Sequence, residues 1–376
     1  MLGNDSQLLG FMGKDMEKIN SVAIRSSFKH HAEHAGYKQI LKYTKPVAVF
    51  GIDERNATPS LLRQKYQWLY EFDANRFIKS HKVDLLHILY GENYFRFSSV
   101  LINKKIPLVI TYHQPPHILK REIEFGDTKG RVAGWAHKFT KKRFANVDSV
   151  IVMTEEQKQI LKKVIDSEKI DVVPFGVDVL TLKEKSQLNS RDRFLKKQII
   201  TVGNWLRDWD FYFRFVEYCS LKRPDWNFVL VCKNLPENYK SKLYLYPNLN
   251  YNGAVSDNEL IALYTESRLQ FLPVIDTAGN NSVLESFALA CPLVITEVET
   301  NKNYVNQDFM RTYKKNSLEM AEYEVSYFMD IQKEAFKTVE NSATDYALRN
   351  DWSVIGTKTL EIYQKAIERK NKNLKN

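Results

Sequence analysis

One carboxylate, Glu285, stands where a small polar loop joins an apolar segment in DTAGNNSVLESFALACPLVIT, residues 276–296. Two roles fit this position. Ser282 and Glu285 have the spacing of a capping box, in which two side chains satisfy each other's backbone donors at a helix start. The other role is ligand binding, because N–H groups at a helix start attract phosphate and Gly279 lets a ligand approach the backbone. A carboxylate one turn inside such a helix repels phosphate, so it would face neutral hydroxyls such as those of a ribose.

A guanidinium and an imidazole are the next candidates. Arg207 follows a glycine turn in ITVGNWLRDWD, and a planar, permanently charged guanidinium can donate two hydrogen bonds to phosphate oxygens. The alternative for Arg207 is a surface ion pair with Asp208 or Asp210. His113 ends the apolar run of VITYHQPP, where a structural histidine and a functional one both fit the sequence.

Short apolar strands alternating with helices must position these side chains. Runs that are apolar throughout predict strands covered by helices on both faces, as in a parallel sheet. They are SVAIRS, PVAVF, VDLLHILY, IPLVITYH, VDSVIVM and IDVVP, followed after a charged stretch by QIITVG, NFVLVC, LNYNG, LQFLPV and PLVITEV. The predicted fold class is therefore α/β, with two Rossmann-like domains that face one cleft. Its parts are an N-terminal domain at 1–180, a linker at 181–197, a C-terminal domain at 198–353, and a final helix with a frayed, charged tail at 354–376 that packs back on the N-terminal domain.

Composition narrows the class of protein. The chain of 376 residues is 44% hydrophobic and 27% charged, which indicates a folded globular protein. No apolar run reaches the ~18 residues that span a bilayer, and three cysteines without metal-ligand spacing indicate a reducing, cytoplasmic setting. Most of the net charge of +10 arises in residues 1–180, which hold 28 Lys and Arg against 20 Asp and Glu. Such an excess favours an anionic partner.

Two further classes are disfavoured. The aromatic residues are spread at core-like spacing instead of grouping with Lys and Arg, so we expect no nucleic-acid partner. His30, His31 and His34 lie close together, but they lack a fourth ligand. Solvated loop histidines, and no metal site, are the expectation.

The segment TAGNNSVLESFALACPLVIT resembles the donor site of the retaining nucleotide-sugar glycosyltransferases of the GT-B fold, family 4 type. Supporting motifs follow in order along nearly the whole chain: DLLHILYGE, PLVITYHQPP, VDSVIVMTEEQK, VVPFGVD, ITVGNWLRDWD, YNGAVSDNELIALY and DWSVIGTKTLEIY. The resemblance implies two Rossmann-like domains and transfer of a sugar, with retained configuration, from a UDP- or GDP-sugar to an acceptor hydroxyl. It also implies that neither a metal nor a cofactor is needed.

The resemblance assigns roles to residues on both sides of the cleft. Glu285 would hold the ribose, Arg207 would clamp the leaving diphosphate, and His113 would lie beside the transferred sugar. The loop SSFKHHAEHAGYKQI, with His34 and Gly36, would approach the phosphates and the acceptor. The remaining donor-site positions are Gly203, Asn204, Thr277, Ala278, Gly279, Asn280, Asn281 and Ser282, the backbone amides of the last three meeting the diphosphate and the sugar.

Two departures from the family pattern leave an alternative open. Thr277 stands where the first acidic residue of the family is expected, with Asp276 one position earlier. The Lys that usually follows the clamp Arg is missing, although Lys233 in NFVLVCK can substitute for it. The alternative is a non-catalytic relative that binds nucleotide sugar and acts as the partner of an active transferase.

The acceptor would be a glycan or a lipid-linked sugar in the synthesis of cell-surface polysaccharide or glycolipid. Residues 129–146, KGRVAGWAHKFTKKRFAN, predict a helix with Lys138, Lys141, Lys142 and Arg143 near aromatic side chains. This helix is either a peripheral contact with the anionic inner face of the membrane or a solvated charged face over a core stripe.

Overall fold

The strands form two sheets of six, and every pair within them is parallel. The structure, a computed structural model, describes residues 18–27, 35–54, 59–125, 142–187, 192–194, 196–277, 279–304 and 308–375. The first sheet has the order β2-β1-β3-β4-β5-β6. Its strands are β1 (Ser21–Ser27), β2 (Ala48–Asp53), β3 (Leu85–Ile88), β4 (Leu108–Tyr112), β5 (Ser149–Val152) and β6 (Ile170–Val172).

The second sheet has the order β12-β11-β10-β7-β8-β9. Its strands are β7 (Gln198–Val202), β8 (Asn227–Val231), β9 (Leu249–Tyr251), β10 (Leu269–Leu272), β11 (Leu293–Thr296) and β12 (Met310–Tyr313). The strand order reverses between β7 and β10. Open α/β sheets bind ligands at such a point, outside the carboxyl ends of the strands.

Helices connect the strands, as buried parallel sheets require. The α-helices are α1 (Leu41–Thr44), α2 (Leu61–Lys65), α3 (Leu69–Ser80), α4 (Gly91–Tyr94), α5 (Ser98–Leu101), α6 (Pro116–Phe125), α7 (Glu155–Leu161), α8 (Val179–Gln187), α9 (Trp209–Lys222), α10 (Glu237–Lys240), α11 (Asp257–Glu266), α12 (Asn281–Ala288), α13 (Leu318–Asp330), α14 (Lys333–Arg349) and α15 (Trp352–Lys375). Short 3-10 helices span Tyr37–Ile40, Ser167–Lys169, Leu243–Leu245 and Glu299–Tyr304.

All eleven predicted strands are confirmed, and β12 is an addition. In β12 the inner residues are half-buried, so no continuous apolar run marks it. The predicted linker at 181–197 begins as the helix α8, whose Val179 and Leu182 are buried and which packs on α11 and α12. The segment is therefore partly a packed helix.

The last helix, α15, contacts the N-terminal sheet. Tyr363 Oη lies 2.7 Å from His87 Nδ1, and His87 Nε2 lies 2.7 Å from Thr111 Oγ1. Burial lowers the pKa of His87 to about 3, so this imidazole is neutral. Lys370 Nζ, near the end of the helix, lies 2.8 Å from Asp148 Oδ2. The expectation of a frayed tail is wrong, because α15 stays helical to Lys375 and this ion pair anchors its last turns.

Candidate active site

The loops that follow β7 and β10 meet at the point where the strand order reverses. The backbone N–H of Asp208 donates to the Pro273 carbonyl (3.0 Å), and the N–H of Ile275 donates to the Leu206 carbonyl (2.9 Å). Because β7 and β10 are neighbours, both loops leave the same edge of the sheet. The second loop leads directly into α12.

Asn280 caps the helix α12. Its Oδ1 accepts hydrogen bonds from the backbone N–H of Ser282 (3.1 Å) and from the Ser282 hydroxyl (2.9 Å). Asparagine is among the most favourable N-cap residues. The capping-box role for Glu285 is therefore wrong, since Ser282 already lies inside the helix and Glu285 follows one turn later. The Ser282 amide, predicted to meet phosphate, is bonded to Asn280 in this structure.

Glu285 is buried behind the helix start, with 9% of its surface exposed. Burial raises the pKa of this carboxyl to about 7, and the nearby Asp257 adds a smaller rise. Tyr264 belongs to the same cluster, since its hydroxyl donates to the Ser282 carbonyl (3.2 Å). A carboxyl with this pKa changes charge near neutral pH, whereas an exposed glutamate does not.

The Arg207 side chain is folded inward and is only 8% exposed. Its Nε and Nη2 donate to the Val202 carbonyl (3.2 and 2.7 Å), and its Nη1 donates to the Trp205 carbonyl (3.0 Å). Nη2 also donates to Ser282 Oγ (3.3 Å). A guanidinium has five N–H groups, and the fifth, on Nη1, has no acceptor among the described residues. Burial lowers the pKa of Arg207 to about 10, so it remains cationic at neutral pH.

The surface ion pair considered for Arg207 is wrong. Asp208 caps α9 by accepting from the Phe211 backbone N–H (3.1 Å), and Asp210 pairs with Arg214 at 3.0 Å. In the part of the chain that the structure describes, the hydrogen bonds of Arg207 go to carbonyls and one hydroxyl, and none goes to a carboxylate.

Gly203 makes room for Arg207. Its φ is 90°, and a Cβ at this position would lie 2.9 Å from Arg207 Nη2. Its predicted closeness to the nucleotide stays a prediction. Asn204 and Lys233 are both exposed at the ends of the adjacent strands β7 and β8.

The loop between β10 and α12 carries the other predicted donor residues. The Thr277 backbone N–H donates to Asp276 Oδ1 (2.7 Å), and Ala278 lies outside the described residues. Asp276 Oδ2 lies 2.5 Å from His117 Nδ1, a contact between the two halves of the chain. No sequence pattern marks His117 as a site residue apart from its place four residues after His113.

His113 lies directly after β4 in a group of aromatic rings. Its ring centroid is 4.5 Å from that of Tyr37, 4.6 Å from that of Tyr90 and 6.2 Å from that of Phe175. Its Nδ1 is 3.4 Å from Glu92 Oε1, and neither ring nitrogen makes a hydrogen bond within the described residues. Packing against these rings therefore positions the imidazole, and both of its nitrogen atoms are buried.

The N-terminal loop and the basic segment are described only in part. His34 lies outside the described residues, whereas Gly36, at φ 88°, precedes the 3-10 helix Tyr37–Ile40. Of the basic segment 129–146, residues 129–141 lie outside the description. Arg143 is buried and pairs with Glu122 at 3.1 Å, so this residue belongs neither to a membrane-facing surface nor to a solvated charged face.

The described residues contain no group of three or more His, Cys, Asp or Glu side chains that could hold a metal ion. None of the helices in those ranges combines the length and the apolar character needed to cross a bilayer.

These features define a two-domain α/β protein with a polar site at the reversal point of its second sheet. Residues 35–179 match the family described as Glycosyltransferase Family 4, and residues 196–323 match the family described as Glycosyl transferases group 1. The chain therefore belongs to the family 4 and group 1 type of GT-B glycosyltransferases.

Solved structures share the fold. A glycosyltransferase from Rickettsia africae ESF-5 is 17% identical, with a TM-score of 0.64 over 94% of this chain and 99% of that one. The trehalose 6-phosphate synthase of Burkholderia multivorans is 12% identical, with a TM-score of 0.70 over 95% and 98%. Anabaena HepE, solved with UDP and glucose, is 12% identical, with a TM-score of 0.61 over 91% and 98%. The search of curated proteins gave no match.

Proposed function

We propose that this glycosyltransferase takes a sugar from a UDP- or GDP-linked donor and transfers it to an acceptor hydroxyl with retained anomeric configuration. The donor would bind at the carboxyl ends of β7 and β10, with its diphosphate at the start of α12. The acceptor would be a glycan or a lipid-linked sugar, and the product would serve cell-surface polysaccharide or glycolipid synthesis.

The observation that carries this proposal is a buried guanidinium beside a helix start. Arg207 Nη2 lies 3.3 Å from Ser282 Oγ, in the first turn of α12. A buried charge is costly without an opposite charge, and among the described residues no carboxylate accepts a hydrogen bond from this one. The helix dipole adds positive potential at the same place. A diphosphate would supply the missing negative charge.

The proposed reaction breaks the bond between the anomeric carbon and the phosphate oxygen. The acceptor oxygen bonds to that carbon on the same face, and its proton passes to the departing diphosphate. Because charge develops on the leaving group, fixed donors aimed at it lower the barrier. The remaining N–H of Arg207 and the backbone amides of Asn280 and Asn281 would supply these donors.

Neutral parts of the donor would meet the other residues. The buried carboxyl of Glu285 would accept hydrogen bonds from the ribose hydroxyls. Thr277, with the side-chain amides of Asn280 and Asn281, would replace the missing acidic residue at the sugar. From the N-terminal half, the His113 ring would lie beside the transferred sugar.

Calorimetric titration of the full chain with UDP, GDP and ADP tests the donor site. We expect one base to bind clearly more tightly, and the corresponding nucleotide sugar to raise the melting temperature. NMR of the transferred sugar, with a candidate acceptor present, then reports the anomeric configuration. Absence of binding by all three nucleotides would contradict the proposal.

Binding without transfer is the second candidate, and one observation favours it. Four of the five N–H groups of Arg207 donate hydrogen bonds to the protein itself. The neutral Thr277 occupies the position of the family's first acidic residue. A protein that binds nucleotide sugar tightly, yet neither hydrolyses it nor transfers the sugar, would match this candidate.

A further inference from the structure

The carboxylate of Asp276 joins three parts of the molecule. Its Oδ2 lies 2.5 Å from Nδ1 of His117, in the first turn of α6 in the N-terminal half. Its Oδ1 accepts from the backbone N–H of Thr277 (2.7 Å) and from the Thr300 hydroxyl (3.2 Å). One side chain thus connects its own loop, the 3-10 helix Glu299–Tyr304 and the opposite side of the cleft.

The same loop is also contacted further along, at Gly279. A Cβ on this glycine would lie 3.1 Å from Phe175 Cδ2 and 3.5 Å from Met153 Cγ, both in the N-terminal half. The φ of Gly279 is 55°, a conformation that side chains disfavour. The N-terminal half therefore contacts the loop between β10 and α12 at both Asp276 and Gly279.

The N-terminal contacts belong to one hydrogen-bonded framework. Gln157 Nε2 donates to the Gln114 carbonyl (2.7 Å), next to the start of α6. Gln157 Oε1 accepts from the backbone N–H groups of Met153 (2.7 Å) and Thr154 (2.8 Å). Gln157 thereby links the segment with His117 to the segment with Met153.

We propose that His117 is a positioning residue for the donor site. Its bond to Asp276 fixes the loop four residues before Asn280, the cap of α12, so the amides of that helix reach their working positions only when the two halves close on each other. Loss of this bond would release the loop without removing any group that touches the donor. The inference rests on the proposed function, because it assigns the donor to the start of α12.

The test compares His117→Ala, Asp276→Ala and the double variant with the wild type. The rate of hydrogen–deuterium exchange of the amides in 276–284 measures how well the loop is held in place. Calorimetry with UDP, GDP and ADP measures the nucleotide affinity of the donor site. His81→Ala is the matched control, since His81 is exposed directly after α3 and its Nδ1 lies near Ser80 and Phe77 of that helix.

We expect His117→Ala to speed exchange in 276–284 and to weaken nucleotide binding by roughly two- to ten-fold, the scale of one hydrogen bond. Adding it to Asp276→Ala should change little more, because the two residues act through one bond. His117→Gln, which still donates a hydrogen bond, should restore most of the protection. Unchanged exchange in His117→Ala, or fully additive effects, would overturn the inference. Faster exchange in a protein that binds none of the nucleotides would instead contradict the proposed function alone.

Discussion

Arg207 donates a hydrogen bond to the Ser282 hydroxyl at 3.3 Å, which joins the loop after β7 to the first turn of α12. The same hydroxyl donates to Asn280 Oδ1 at 2.9 Å. Guanidinium, helix start and helix cap therefore form one hydrogen-bonded unit at the reversal point of the sheet. A substitution in one of these three parts should therefore alter the hydrogen bonds of the other two.

Glu285→Gln should stabilise the protein at alkaline pH and change little at acid pH. The pKa of the buried carboxyl is about 7, above that of an unfolded glutamate. As pH rises the unfolded state therefore loses its proton first, and the wild type loses stability from about pH 4.5 to about pH 7. The glutamine side chain does not titrate, so the variant keeps this stability. The expected gain in unfolding free energy over the wild type at pH 8 is at most roughly 3 kcal/mol.

Urea unfolding of both proteins at pH 5 and pH 8 measures this difference. Glu259→Gln is the control, because Glu259 is exposed on the neighbouring helix α11. An equal effect of Glu285→Gln at both pH values would show that the carboxyl titrates normally.

Arg207→Met should lower both stability and affinity for nucleoside diphosphate. The Val202 and Trp205 carbonyls lose their donors, which costs about 1–3 kcal/mol in a buried site. The diphosphate loses its nearest buried cation, so we expect at least a ten-fold weaker Kd. Arg214→Met is the control, since Arg214 forms a surface pair with Asp210. Calorimetry measures the nucleotide affinity, and urea unfolding measures the stability. Wild-type affinity in Arg207→Met would show that Arg207 does not contact the bound nucleotide.

Gly279→Ala should weaken nucleotide binding, whereas Gly253→Ala should not. The two glycines have similar φ values, 55° and 60°, so both substitutions carry similar backbone strain. Only at Gly279 would the added methyl press on Phe175, at 3.1 Å, while at Gly253 its nearest neighbour is Tyr251 Oη at 3.9 Å. The melting temperatures of the two variants should fall by comparable amounts. Calorimetry should show weaker nucleotide binding in Gly279→Ala alone. Equal nucleotide affinities would argue against a role for this contact.

Tyr363→Phe should destabilise the N-terminal half through a single lost hydroxyl. That oxygen lies 2.7 Å from His87 Nδ1 in the contact between α15 and the first sheet. A buried neutral imidazole left without this partner costs about 1–3 kcal/mol. Tyr323→Phe, whose side chain is 68% exposed, should be nearly neutral. Urea midpoints of the two variants give the comparison, and matching midpoints would mean that the bond contributes nothing.

The local pattern of the sequence identified most of the fold. Eleven strands were predicted because strands buried on both faces are uniformly apolar, and β12 was missed because an edge strand with half-buried residues is not. The helix after β10 was placed correctly, but its cap was not. Asn280 and Ser282 are both good capping residues, and sequence spacing alone does not decide which of them begins the helix.

The sequence by itself determined the two parallel sheets, the loop that leads into α12 and the family, because all three depend on neighbouring residues along the chain. Only the tertiary structure decided that Arg207 turns inward onto carbonyls, that Arg143 is buried against Glu122, and that His117 reaches Asp276. Which polar groups pair depends on how the packed elements bring them together, whether the residues are five apart, as Arg207 and Val202 are, or 159 apart, as His117 and Asp276 are. The distance between His117 and Asp276 is set by the meeting of two domains, and no local pattern of residues encodes it.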